Sequence, residues 1–392
     1  MDGIKDKTAI VGMGCTKFGE HWDLNGDDLI VDAVYDALKD AGIEIKDVQA
    51  AWVGTRFSGN TSMCLSEPLK LQYIPVTRVE NLCASGTEAI RAAAYAVAAG
   101  ACDIALAVGF EKLKDTGTVG LPTTPNQLSP IQEYNFPPGG FSMLAINYFD
   151  YYKIAPQEGK RLLAQIAVKN HHNGNLAPKA HFHQEITLEQ AINAPIISWP
   201  LGLYDCCGVS DGAAAAIITR ADMARSFRDD PIYIKALAIC TSPRDGLMNT
   251  KHDFTKVEEN HRAAKMAYAQ AGIKDPFKEI SMAEVHDCFT ITEMVLYEDM
   301  EWCPRGKAKE YIENGSFTLT GELPVNTDGG LKCFGHPIGA TGLRMMYEVY
   351  QQLRGKAGPR QVKNPTLGLT HNLGGLPSGA VGAVCIAGNE RG

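Results

Sequence analysis

Apolar positions along the chain switch between short continuous runs and helical spacing, and this alternation predicts an α/β protein. Residues 7–13 (Lys-Thr-Ala-Ile-Val-Gly-Met) form the first continuous run, as expected of a strand buried on both faces. Ile30, Val34, Ala37, Leu38 and Ala41 then recur three and four apart, which places them on one helix face. Ala50–Gly54 reads as a second strand. After Cys83 comes a helix carrying Ala89, Ala92, Ala93, Ala94, Ala96, Ala98 and Ala99, small enough for other backbone to approach on several sides, with Gly100 as a left-handed stop. The strand Ile104–Val108 follows.

The same order returns later in the chain. Asp40-Ala41-Gly42-Ile43, a linker and a strand are echoed by Gln270-Ala271-Gly272-Ile273, a linker and the strand 282–286. Cys83-Ala84-Ser85-Gly86, a helix and Ile104–Val108 are echoed by Gly339-Ala340-Thr341-Gly342, a helix ending near Gly355 and the strand Thr366–Thr370. Two agreements in the same order imply a duplicated architecture of two α/β halves, each a sheet with helices on both faces. The first half is expected at 1–120, rejoined over 201–228 by the strand Ala213–Thr219, and the second at 229–392. Between them, 121–200 is rich in Pro, Gly, Asn, His and aromatic residues and is expected to be a loop-rich insert covering a substrate or cofactor.

Composition narrows the classes of function. With 392 residues, 45% hydrophobic and 21% charged, the chain is an ordinary globular protein, and its net charge of -8 disfavours nucleic acid as a partner. No apolar stretch is long enough to span a membrane and the N-terminus carries no signal-type apolar run, so a cytoplasmic location is expected. Eleven cysteines without framework spacing suggest reduced thiols.

Four segments carry candidate chemistry. Cys83 precedes the alanine-rich helix, where free amides and the helix dipole are expected to favour its thiolate. His286-Asp287-Cys288-Phe289 ends a second-half strand and precedes a helix with Ile291, Met294, Val295 and Leu296, expected to be amphipathic. The glycine-rich run 329–342 holds His336 beside a proline, and His371-Asn372-Leu373-Gly374-Gly375, expected to follow the last core strand, offers backbone amides for an oxyanion. Other patterns are set aside. Gly208-Val209-Ser210-Asp211-Gly212 matches a hydrolase elbow, yet a strand follows where the elbow needs a helix. His171, His172, His181 and His183 lack metal-site spacing, no metal site is expected, and no phosphate-binding glycine loop follows the first strand.

Together these motifs, with Thr16-Lys17-Phe18-Gly19, Ser210-Asp211-Gly212-Ala213-Ala214 and Gly335-His336-Pro337, resemble the thiolases, specifically the sterol-carrier-protein-2 type and its bacterial and archaeal relatives, over nearly the whole chain. The resemblance implies βαβαβαββ halves stacked in five α-β-α-β-α layers with a loop domain inserted in the first. It implies that Cys83 is the acylated nucleophile and His336 its base, with His286 and His336 holding the thioester oxygen as an enolate develops. The amides of Cys83 and of the Gly374-Gly375 loop would form a second oxyanion hole. Most thiolases carry their second cysteine in a C-terminal Cys-x-Gly loop, where this chain has Asn372-Leu373-Gly374-Gly375, and Cys385 is too far along to substitute. In the His-Asp-Cys-Phe type Cys288 supplies that acid/base instead.

Coenzyme A is then expected as a substrate, with no covalently bound cofactor. The resemblance also implies a homodimer or larger assembly and a small OB-fold/zinc-ribbon partner subunit that helps bind CoA. The expected reaction is cleavage of a β-ketoacyl-CoA. An aromatic-rich insert (Phe136, Phe141, Tyr148, Phe149, Tyr151, Tyr152) points to branched, aromatic or dicarboxylic chains such as benzoylsuccinyl-CoA. The alternatives are an acetoacetyl-CoA thiolase working in the Claisen condensation direction and a non-catalytic acyl-CoA-binding subunit. Related chains that act as aldolases lack the nucleophilic cysteine, which Cys83 retains.

Overall fold

The computed structural model describes residues 3–117, 137–244, 246 and 252–392. Nine strands form one sheet: β1 (Thr8–Cys15), β2 (Ala50–Gly54), β3 (Val76–Val79), β4 (Ile104–Glu111), β7 (Gly212–Arg220), β8 (Ile232–Thr241), β9 (Met282–Glu284), β10 (Leu367–Leu376) and β11 (Gly379–Gly388). The remaining two, β5 (Ile196–Ser198) and β6 (Leu201–Gly202), pair with each other in the insert. The nine run in the order β3-β2-β4-β7-β1-β8-β11-β10-β9. Apart from β3, this order is symmetric about the β1–β8 junction, β1, β7, β4 and β2 answering to β8, β11, β10 and β9, and the junction rests on the pairs Ala9–Tyr233 and Ile10–Ile232. Strand directions repeat as well: β2–β4 and β9–β10 are parallel, whereas β4–β7 and β10–β11 are antiparallel. In place of a counterpart to β3, a single bridge joins Val325 to Ala283.

Period-two burial on these strands builds the layers. Ala9, Val11, Ala213, Ala215 and Ile217 pack against Leu29, Ile30, Ala33, Val34 and Ala37 of the helix Gly26–Ala41. The alternate positions Ile10, Met13, Ala214, Ala216 and Ile218 face inward, onto Ala89, Ile90 and Ala93 of the helix Ser85–Ala98 and Leu343, Met346 and Val349 of the helix Thr341–Leu353. Ile234, Leu237 and Met282 of the second half close the same central layer. Beyond them, Ala236, Ala238, Val384 and Ile386 meet the helix Glu258–Ala271. Five layers result, with two helices sandwiched in the middle.

Those central helices touch through backbone. A Cβ on Gly86 would lie 2.7 Å from the Gly339 oxygen and 3.0 Å from the Gly342 nitrogen, so only glycine admits this approach.

Several expectations change. The described part of the insert is largely helical, with helices Pro137–Tyr151, Pro156–Asn175 and Leu188–Ile192; residues 121–136, including Phe136, lie outside the described residues. The second-half strand stops at Glu284, so His286 lies beyond it, and the helix Thr290–Asp299 is buried along its whole length rather than amphipathic. His371 to Gly375 lie within β10 instead of after it, because the antiparallel pairing with β11 continues to Leu376–Gly379.

Candidate active site

Cys83 sits in a tight turn between β3 and the central helix. Leu82 before it adopts φ 53°, a left-handed conformation costly for a residue with a branched Cγ, and the turn is closed by Ala84 N–H to Asn81 O (3.0 Å) and Ser85 N–H to Leu82 O (3.1 Å). The Ser85 hydroxyl also donates to Leu82 O at 2.6 Å. This bonding holds the sulfur at the head of the helix, half-buried.

The turns after β9 and before the helix Thr341–Leu353 bring His286 and His336 to the same point. One ligand atom each from Cys83, His286 and His336 lies within 4.8 Å of the others, and the two imidazole rings are 5.2 Å apart, nearly perpendicular. His336 Nδ1 is 2.7 Å from the Thr341 hydroxyl, which donates its own proton to Pro337 O at 2.9 Å. The hydroxyl must therefore accept from Nδ1–H, which assigns the proton to Nδ1 and leaves Nε2 as a bare lone pair. Nε2 of His336 and Nδ1 of His286 have no hydrogen-bond partner although both residues are almost fully buried.

Electrostatics keep every one of these groups neutral. Burial, followed by the Arg344 guanidinium, lowers His336 to about 3, and burial with the neighbouring His336, His371 and Arg344 holds His286 well below the usual imidazole range. Burial pushes the Cys83 thiol up to about 12, against a lowering contribution from the Gly375 amide. Burial thus favours the thiol at Cys83, against the thiolate expected at the helix terminus.

Cys288 is buried, with its sulfur 3.7 Å from the Thr292 hydroxyl, and burial raises its thiol well above the ordinary value. It lies close enough to Cys83 and Cys207 for charge on either to raise it further. Cys207 is a site neighbour that the sequence reading missed. The Cys207 amide donates to Cys288 O at 2.9 Å, and Cys206 bridges to Phe289, which pins the 206–207 segment beside the His-Asp-Cys-Phe turn. Nothing in the local pattern around Cys206-Cys207 marks this role.

Strand alternation divides the β10 motif. His371 turns outward, its Nε2 3.0 Å from Asn260 Oδ1 on the outer helix, and acts on the site only as an electrostatic neighbour of His286. Asn372 turns inward and accepts from the Thr87 hydroxyl at 2.7 Å. Gly374 faces the same way and lies so close to the nucleophile turn that an added Cβ would collide with the Asn81 carbonyl oxygen.

A buried polar layer holds these loops in place. Arg344 joins Glu284 (2.7 Å), two residues before His286, to Asp328 (2.7 Å), at the start of the loop that carries His336. Asp287 accepts from Leu331 N–H (2.6 Å) and from Asn170 of the insert (2.8 Å); burial and the nearby Glu293 raise its carboxyl to about 7. Two of the insert aromatics serve packing: Phe141 stacks on Phe289 at 4.6 Å and the Tyr148 hydroxyl donates to Glu298 at 2.5 Å. The set-aside histidines stay apart, with His181 on Ser210 (2.8 Å), His172 on Glu185 (3.0 Å) and His171 on Gln184 O (2.9 Å). No helix among the described residues is long and apolar enough to cross a membrane.

Comparison with known proteins places the chain. Residues 8–222 match the family "Thiolase, N-terminal domain" and 243–387 match "Thiolase C-terminal domain-like". An acetyl-CoA acetyltransferase of Methanothermobacter thermautotrophicus is 38% identical over 386 residues, covering 96% of this chain and 98% of the relative. Sterol carrier protein 2 of Gallus gallus is 32% identical, over 95% of this chain and 70% of its own length. The benzoylsuccinyl-CoA thiolase subunit BbsB of Thauera aromatica is 31% identical over 95% of this chain and 96% of its own. The solved Ltp2-ChsH2(DUF35) aldolase superposes with a TM-score of 0.85 at 25% identity, covering 99% of both chains. The chain belongs to the thiolase family, on its sterol-carrier-protein-2 branch, and is an acyltransferase.

Proposed function

We propose that the protein cleaves a β-ketoacyl-CoA through an acyl-Cys83 intermediate. The observation that carries this reading is the convergence of a cysteine sulfur with two neutral imidazoles, one of which, His336, directs a buried, unprotonated Nε2 into the site. Cys83 attacks the β-carbonyl while His336 Nε2 takes the thiol proton. The Cα–Cβ bond breaks, its electron pair passes to the thioester as an enolate held by His286 and His336, and Cys288 delivers a proton to Cα. A second CoA then takes the acyl group from Cys83, with the amides of Cys83 and the Gly374-Gly375 loop steadying the tetrahedral oxyanion.

Adding an acyl-CoA to the purified chain should add the mass of one acyl group at Cys83, and Cys83→Ser should abolish both the adduct and turnover. Cys288→Ala should still acylate but lose carbon–carbon cleavage by about 10²–10⁴-fold. Absence of an adduct in the native chain would favour the acyl-CoA-binding subunit, and cleavage of a hydroxyacyl-CoA without an adduct would favour retro-aldol chemistry.

The acyl group remains the finer question. Phe141, Tyr148 and Phe149 are buried in packing and give no support to a bulky chain, while identity to an acetyl-CoA acetyltransferase favours acetoacetyl-CoA and identity to BbsB favours an aromatic dicarboxylic substrate. Cleavage rates on acetoacetyl-CoA and on benzoylsuccinyl-CoA separate the two. The reading includes a small partner subunit, supported by the subunit designation of BbsB and the DUF35 component named in the aldolase structure, and, on the family resemblance alone, a homodimer or larger assembly and an OB-fold/zinc-ribbon character for that partner. Co-purification from the native source tests it.

A further inference from the structure

The three groups at the centre of the site are also a donor set. Among the described residues they are the one group of three or more His, Cys, Asp or Glu side chains close enough together to hold a metal ion, with all donor atoms within 4.8 Å. His336 Nε2 and His286 Nδ1 are unpartnered, on residues 2% and 1% exposed. His336 cannot turn its bare nitrogen away without breaking the Nδ1 bond to Thr341. A tetrahedral Zn2+ with bonds of about 2.3 Å to sulfur and about 2.0 Å to nitrogen separates its donors by about 3.5 Å, so side-chain rotations of about 1 Å suffice to close the set. The donors are one sulfur and two imidazoles with no carboxylate, which suits zinc-like cations and not Mg2+ or Ca2+.

We infer that Cys83, His286 and His336 form a three-donor site for a divalent cation of the Zn2+ class, occupied only while Cys83 carries no acyl group. Binding is a proton exchange without redox change: the hydrated cation forms a bond to the Cys83 sulfur, the S–H bond breaks, and the proton passes to solvent. Three protein donors leave a fourth position for water. A thioester at Cys83 has no free thiolate to offer, so acylation and cation binding exclude each other. This differs from the sequence expectation that the chain holds no metal site. The cation site rests on geometry alone, whereas its exclusion by acylation also rests on the acyl-Cys83 reading.

Anaerobic titration of the chelator-stripped full chain with Co2+ tests this. The expected result is a near-ultraviolet thiolate-to-cobalt charge-transfer band with the visible envelope of a four-coordinate ion, both abolished by Zn2+. Cys83→Ser and Cys83→Ala should each remove the charge-transfer band, and His286→Gln or His336→Gln should weaken binding by at least about tenfold, with circular dichroism confirming that each variant is folded. No band in the native chain, or a band that survives both Cys83 replacements, overturns the inference; survival would assign the metal to other thiols such as Cys207 and Cys288. A chain acylated according to intact mass should show no band, and coexistence of band and adduct overturns the exclusion. A Co2+ band in the loaded chain, together with no acyl adduct when acyl-CoA is added to the chelator-stripped chain, leaves the cation site standing and defeats the acyl-Cys83 reading instead.

Discussion

The Thr341 hydroxyl oxygen lies 2.7 Å from His336 Nδ1 and at the first position of the helix that follows, so the residue that starts the helix also sets the tautomer of the imidazole. Thr341→Val removes the acceptor and frees the ring to place its proton on Nε2. The acylation rate should fall about 10–100-fold, the range for loss of a supporting hydrogen bond to a functional histidine, with KM nearly unchanged. Thr341→Ser should restore it. A rise in KM at constant kcat would show that the threonine shapes binding and not the base.

Cys83 should behave as a thiol of high pKa until substrate arrives. With burial raising it to about 12, its thiolate fraction grows about tenfold per pH unit across the accessible range. Alkylation by iodoacetamide, followed by peptide mass, should therefore keep rising through pH 10 without levelling. His336, lowered to about 3, stays neutral above pH 5, so single-turnover acylation should show no step near 6.5. A plateau in alkylation near pH 8 would mean a stabilised thiolate.

Gly374→Ala should displace the nucleophile turn. The new methyl group meets the Asn81 carbonyl oxygen and approaches Leu82 Cβ to 3.1 Å, so Cys83 must shift relative to its oxyanion donors. Loss of about 10²-fold in acyl transfer is expected, comparable to losing an oxyanion-hole donor. Unfolding midpoints should move far less than activity.

Arg344→Met should act mainly on stability. It strands Glu284 and Asp328 side by side in a fully buried layer, which costs about 3–5 kcal/mol for a broken buried pair. Denaturant unfolding of the variant measures this, and adding Glu284→Gln should recover part of the loss.

The duplicated strands and helices were legible because apolar residues recur with periods that neighbouring polar residues do not blur, as in β1 and in Ile30 to Ala41. The helix Pro156–Asn175 was hidden by composition: its Asn170, Asn173 and His171 look like loop residues, but they are buried against Asp287, Asn326 O and Gln184 O, partners remote in sequence. The helix Thr290–Asp299 reads as amphipathic because Glu293, Glu298 and Asp299 are charged, yet each is buried and paired with Lys169, Tyr148 or Arg305. At the candidate site, the motif residues were visible as motifs. Cys207 was not, since its proximity to Cys288 depends on tertiary pairing, and the thiol state of Cys83 depends on how much water the fold excludes.

Gly86 belongs to the helix that begins just after Cys83, and Gly342 to the helix that begins just after His336. Because main chain rests directly on main chain there, no rotamer stands between the scaffold of the sulfur and the scaffold of the imidazole. The reach of a proton from one to the other is consequently inherited from bond lengths and peptide planes, and thermal rattling of the surrounding side chains has little leverage over it.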